Sequence, residues 1–424
     1  MNTIISPVTK WTFAEKASFR FFFIFLGLST WFGYNVINTI FRDGADWWVN
    51  SMSGLSKPFA WLDKHLYHFG YEPVKDGYVG ITDGKVGWVL TSSLLLVAFI
   101  GTVIWCILDK RRLNYIKLHY WFRMYLVYYL FLAIMPYALF KIIPLQMPFP
   151  NAEQLLTPVG NNNGFRLVWN FMGARPGYSV FAGICEMTGC VMILFRRTRV
   201  FGCLFLCTVM VNVVCLNIFY NVFVKLQSIH LLTVIIFLLV PHIPKLVRIF
   251  YYLQPVSLAE REFTFTTRWK KWLLAALLLA PAYASFIVLK DAGIRVNNNK
   301  LFRHQEVYDV SAFTSGSDII PPLLTDTFRI KRLVFMASQS RKVAILYNMK
   351  DIPDYYFYKW DTAGEKFSLT NVDTTKPIVF TYTEPAKNKL QITGNWKGKP
   401  VTMQLEKFEI DSMKLVKEKI KWVQ

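Results

Sequence analysis

Apolar runs near 20 residues long, each closed by basic or turn-forming residues, fill the first two-thirds of the chain and then give way to short alternating segments. A helix rising ~1.5 Å per residue crosses a ~30 Å hydrocarbon layer in ~20 residues. About seven crossings are therefore expected, over residues 17–41, 87–108, 119–143, 178–195, 200–220, 226–251 and 272–289. Basic residues sit at alternate ends of these runs. Lys10, Lys16 and Arg20 lead into the first, Lys110, Arg111, Arg112 and Lys117 follow the second, Arg196, Arg197 and Arg199 follow the fourth, and Lys245 and Arg248 close the sixth. Because Lys and Arg accumulate on the cytoplasmic side, the expected topology has its N-terminus inside and its C-terminus outside.

From about residue 291 the period changes. Segments beginning at Leu333, Val343, Tyr355, Ile378, Leu390 and Val401 alternate apolar and polar positions and are rich in β-branched and aromatic residues, the signature of strands. Gly394-Asn-Trp-Lys-Gly-Lys marks a hairpin turn between the last two. The fold class expected is a membrane all-α helical bundle plus a C-terminal extracytoplasmic all-β domain, a small sandwich or barrel. The expected divisions are 1–118, two helices with an outer aromatic loop carrying Trp47, Trp48 and Trp61; 119–250, a four-helix core; 251–290, a cytoplasmic loop and last crossing; and 291–424, the β-domain.

Charge and cysteine content narrow the class. The net charge of +21 lies largely beside apolar runs, the placement required by lipid headgroups rather than by nucleic acid, which is excluded as a partner. All six cysteines fall within apolar segments, so the β-domain must stand on its own core without disulfides. The first apolar run continues through Trp31 and Tyr34 without a small-residue cleavage site, and is expected to act as an uncleaved anchor. A segment of some 30 residues rich in Pro and Asn links the third and fourth runs. Connections of that length are lids, binding loops, re-entrant pieces or plain solvated loops.

Candidate chemistry lies in the outer half of the bundle. Glu186 falls ~12 Å into the fourth run, and an ionisable group at that depth needs a partner or a wet cavity. Gly183, Glu186 and Cys190 share one helix face, and Gly183 admits a close neighbour. Asn212 lies at the matching depth on the fifth run, with Asn217 and Asn221 shallower; Lys225 and His230 open the sixth, and Arg175 stands at the outer mouth. Two arrangements fit. In one, Glu186, His230 and Lys225 are catalytic, with Arg175, Asn212, Asn217 and Asn221 binding substrate in a pocket open to the outside. In the other, Glu186 and Lys225 form a fixed ion pair and the asparagines are interhelical glue. No metal-ligand cluster, haem pair or flavin fingerprint is present; His304 in the β-domain has no metal-binding company.

Residues 119–250 resemble the DoxX-like family of small four-helix membrane proteins. The resemblance rests on Tyr-Ala-Leu-Phe-Lys141, the Gln146-Met-Pro that follows, Gly183-x-x-Glu186-x-x-Gly189, the Arg-Arg-Thr-Arg turn, and Lys225-Leu-x-Ser228-x-His230. It implies a bacterial inner-membrane protein handling redox chemistry with a membrane quinone, beside a redox or envelope partner at the β-domain. The competing expectation is a non-enzymatic envelope assembly or lipid-handling scaffold whose β-domain binds a partner.

Overall fold

The computed structural model describes residues 10–32, 54–73, 83–256, 268–299, 305–337, 342–371 and 377–418. The interfacial residues Trp47 and Trp48, the loop residue Arg261 and His304 lie outside the described residues. The chain divides into two units, residues 1–146 with 177–290, and 147–176 with 291–424.

The helical unit contains α1 (Phe13–Trp31), α2 (Ser56–Leu62), α3 (Lys85–Leu108) and α4 (Ile116–Ile142) before the chain leaves it. The segment of the second unit that follows carries α5 (Ala152–Leu156) and α6 (Gly164–Ala174). The chain returns through α7 (Pro176–Leu194), α8 (Arg199–Phe219), α9 (Lys225–Leu239), α10 (Ile243–Phe250) and α11 (Arg268–Asn299). Five helical stretches among the described residues are long and apolar enough to cross a membrane: Lys85–Leu108, Ile116–Ile142, Pro176–Leu194, Arg199–Phe219 and Lys225–Phe250. That corrects the expected seven. The first expected crossing, residues 17–41, overlaps α1 only to Trp31 and carries Arg20, and residues 33–41 fall outside the described residues. The last expected crossing, residues 272–289, lies within α11, and the side chains of much of its first half fall outside the described residues.

A capping box starts α1: the Thr12 side chain accepts from the Glu15 backbone, and Glu15 reaches back to the Thr12 amide at 2.6 Å. The helix α4 is the axis of the bundle, with 56% of its most apolar window buried against 22% for α3. Leu126, Leu130 and Met135 on it are fully buried. The buried Arg20 ties the opposite end of this unit. Its guanidinium donates to the Tyr115 hydroxyl at 2.6 Å and the Asp109 carbonyl at 2.8 Å, while Tyr115 donates to the Asp109 carboxylate at 2.7 Å. The Tyr115 hydrogen bond, helped by Arg112, holds the Asp109 carboxyl below its usual range, and burial pushes the Tyr115 phenol up.

The second unit is a closed barrel. Nine strands, β1 (Gln305–Ser315), β2 (Asp318–Ile319), β3 (Ile330–Ala337), β4 (Lys342–Asn348), β5 (Pro353–Asp361), β6 (Lys366–Asn371), β7 (Ile378–Ala386), β8 (Lys389–Trp396) and β9 (Lys399–Phe408), run in the order β2-β1-β3-β4-β5-β6-β7-β8-β9, all antiparallel, and β1 also pairs with β9. Eight strands thus form the wall, with β2 a short hairpin on β1. Closure runs from Val307↔Phe408 to Ser315↔Val401, with a register shift between Val310 and Ala312 that bends the strand. The β8–β9 hairpin turns through Lys397 and Gly398, both at positive φ, the two-residue geometry that matches strand twist. Side chains fill the interior: Phe313, Phe335, Phe367, Phe380, Trp396 and Met403 belong to one buried cluster. Gly394 lies opposite Phe380, where an added Cβ would stand 2.5 Å from the ring, so the glycine makes room for it.

The 147–176 segment is neither free nor structureless. Ala152 of α5 packs with Val307, Val334, Ile345 and Tyr347, a second cluster on the outside of the barrel wall. This explains why β4 is buried on both faces, Ala344 to Tyr347, instead of alternating. Glu153 pins the contact, accepting from Arg166 at 3.1 Å and from the Tyr355 hydroxyl at 2.9 Å. Burial first, and Glu153 next, push the Tyr347 phenol up.

Candidate functional site

The polar residues of the helical unit form separate pairs. Glu186, on the buried face of α7, is paired with Lys141 near the end of α4, and both side chains are nearly inaccessible. The contact follows from Gly183. A Cβ there would stand 2.7 Å from the Ala138 carbonyl oxygen and 2.8 Å from Lys141 Cβ, so only glycine lets α7 approach α4 this closely. Lys141 Cβ is therefore level with Gly183, one turn from Glu186, and its long side chain spans that turn. Glu186 Oε1 takes the ammonium, while Oε2 is buried without a hydrogen-bond partner. Gly189 and Gly202 repeat the device between α7 and α8: a Cβ at Gly189 would meet Leu206 at 2.5 Å.

Lys225 belongs to a different pair. Its ammonium lies 3.2 Å from Asp83 Oδ2 and 2.8 Å from Asn221 Oδ1. The same carboxylate accepts from the backbone N–H groups of Lys225 at 3.0 Å and Leu226 at 2.9 Å, so Asp83 caps the N-terminus of α9 from a distant part of the chain. Asn221 sits in the turn between α8 and α9 at φ 53°, a left-handed conformation that Asn tolerates better than most residues.

His230 is buried on α9, with Tyr129 and Phe25 edge-on at centroid distances of 5.8 and 6.4 Å. Both ring nitrogens are buried without a hydrogen-bond partner. Asn217 is buried, whereas Asn212 is exposed on α8. Arg175 belongs to the second unit, where it holds Glu418 at 2.8 Å and the Leu415 carbonyl at 3.3 Å.

The expected chamber is thus corrected in its pairing. Glu186 is matched with Lys141 rather than Lys225, Lys225 with Asp83, and Arg175 with Glu418. The interhelical asparagine role expected of Asn212 fails because that side chain faces away from the bundle. The sequence reading missed Lys141 as a partner because it compared Cα depths, and a lysine chain reaches about one helical turn beyond its own Cα. It missed Asp83 because that residue falls between apolar runs. Arg123 was missed as well: its guanidinium lies 2.9 Å from His242 Nε2, which must accept, and 3.3 Å from the Leu238 carbonyl. Among the described residues no group of three His, Cys, Asp or Glu side chains could hold a metal ion.

One surface of the barrel unit is also built with care. The end of β2 and the loop after it display Ile319 at 77%, Leu323 at 56% and Leu324 at 70% exposure around Pro321 and Pro322. Buried Arg329 fixes its base by donating to the Ile320 and Val310 carbonyls, and Asp326 accepts from the Phe328 amide at 2.7 Å. Trp396 Nε1 donates to the Phe328 carbonyl at 3.1 Å, and Lys397 to the Thr327 carbonyl at 3.2 Å. Lys399 lies over the Phe328 ring.

No protein-family model, curated protein or solved structure matches the chain. The described residues form a helical unit with five stretches long and apolar enough to cross a membrane, and a closed eight-stranded antiparallel barrel.

Proposed function

We propose that the chain is a non-enzymatic scaffold of a bacterial envelope, anchored in the cytoplasmic membrane with its N-terminus inside and its barrel in the periplasm as a partner-binding domain. The observation that carries this reading is the end of β2 and the loop after it. Exposed Ile319, Leu323 and Leu324 stand above a base hydrogen-bonded through Arg329, Asp326 and Trp396. Clustered large apolar side chains on an exposed surface mark interaction sites. Lys397 and Lys399 beside it match a protein partner whose apolar cleft is bordered by carboxylates. The bulky interior of the barrel leaves its outer surface and loops to do the binding. A photo-crosslinking amino acid at Leu324 in living cells is expected to give a discrete adduct that Leu323→Asp abolishes and that the same probe at Lys359 does not give. Equal labelling from both positions, or none from Leu324, contradicts the assignment.

A second reading has its own support. Glu186 Oε2 and both nitrogens of His230 are buried protonatable atoms without partners in the helical unit. Polar groups left so within an apolar bundle are functional candidates. Together with the DoxX-like pattern of Gly183, Glu186 and Lys141, they support a quinone-linked oxidoreductase subunit in which these groups move protons. His230→Phe, which leaves the Lys141–Glu186 pair intact, is then expected to slow quinone reduction in membranes at least ~10-fold, within the range for losing a proton-transfer group, with protein level unchanged. An unaltered rate removes this reading.

A further inference from the structure

Asn212 is exposed on α8, although it lies seven residues, ~10 Å, from the helix end at Phe219 and so within the hydrocarbon layer. Its neighbours on the same face are what lipid requires: Phe201, Phe205 and Phe219 are exposed at 54%, 39% and 79%. The amide is not. Lipid offers it neither a donor nor an acceptor, and a side-chain amide in hydrocarbon is costly until it is hydrogen-bonded. The structure gives it no such bond. Thr208, one turn away, satisfies itself by donating to the Leu204 carbonyl at 3.3 Å, an escape that the Asn212 amide does not take.

We propose that this face of α8 is the contact between two copies of the chain in one bilayer, with the two Asn212 amides exchanging hydrogen bonds across a two-fold axis. Three features favour a second copy over an unrelated helix. Copies inserted by the same route share an orientation, so like helices cross with Asn212 at equal depth. An amide carries both donor and acceptor, so it complements itself, as an isologous contact demands. Thr208 and Cys215, one turn to either side and both exposed, are small enough for the backbones to approach.

The face carries its own reporter. In the full chain in lipid vesicles, copper-phenanthroline oxidation is expected to join two copies through Cys215, and Cys215→Ser to remove the band. Energy transfer between donor- and acceptor-labelled copies, followed on lipid dilution, is expected to show a dimer whose dissociation constant rises about tenfold in Asn212→Leu, the scale of interhelical polar bonds in membranes, and changes little in Asn212→Gln. Because Asn212 faces away from its own bundle, Asn212→Leu leaves the protomer's thermal unfolding unchanged. A cysteine placed by Val97→Cys, on the exposed side of α3 in the Cys215→Ser background, should not crosslink. A wild-type monomer at every protein-to-lipid ratio, a dimer indifferent to Asn212→Leu, or equal crosslinking from Val97→Cys overturns the proposal.

Discussion

Replacing Lys141 with methionine is expected to destabilise the helical unit by about 3–5 kcal/mol, the range for removing one partner of a buried ion pair. The loss comes less from the attraction itself than from what remains: a Glu186 carboxylate in apolar packing with neither oxygen matched. Thermal unfolding in detergent, read by loss of solubility or by helical signal, should show it. The companion Lys141→Met with Glu186→Met should recover most of the loss, because two apolar side chains of similar volume remove the stranded charge together. Recovery also separates an electrostatic cause from a packing one, since methionine at position 141 would crowd Gly183 equally in both variants.

The second large effect belongs to the barrel. Phe367 is 1% exposed, with its ring 5.3 Å from Phe380, 4.9 Å from Trp360 and 5.8 Å from Phe335. Truncation to alanine leaves a cavity that a closed wall cannot collapse around, and about 3–5 kcal/mol of stability is expected to go. Urea-dependent protease resistance of the barrel in the full chain should fall accordingly, while the helical unit keeps its own melting behaviour. An equal loss in both units would mean that they unfold as one cooperative block.

How much was legible follows the physical signal. The strands starting at Tyr355, Ile378, Leu390 and Val401 announced themselves by alternation, those at Leu333 and Val343 by β-branched and aromatic content, and each lies within an observed strand. β1 and β6 escaped, Lys366–Asn371 because six residues offer too few alternations and Gln305–Ser315 because its register shift breaks the period. Closure between β1 and β9 is a property of how the edges meet, which no local pattern carries. The helical spans were legible as apolar runs, but hydropathy does not distinguish a fully apolar crossing from α1, whose Arg20 is buried among Tyr115 and Asp109.

The candidate site shows the same division. That Glu186 needs a partner and that Gly183 admits a neighbour could be read from depth and spacing; which helix supplies the partner could not. The third run ends in Lys141 and the sixth begins with Lys225, and nothing local decides between them. The decision lies in the α4–α7 crossing at Gly183, which brings backbone within a Cβ's reach, and in Asp83, which takes Lys225 for itself. Asn212 was placed at the right depth but on the wrong face, because a helix with apolar residues on every side has no pattern from which to read its inward direction.

The pairing of Glu186 with Lys141 sets how the polar residues of the helical unit are arranged, and a double-mutant cycle measures it directly. Unfolding free energies of Lys141→Met, Glu186→Met and the double variant should give a coupling of roughly 2 kcal/mol or more, at the upper end for contacting residues, whereas the same cycle on Lys225 and Glu186 should give a value near zero. Strong coupling between positions 225 and 186, with none between 141 and 186, would contradict the account.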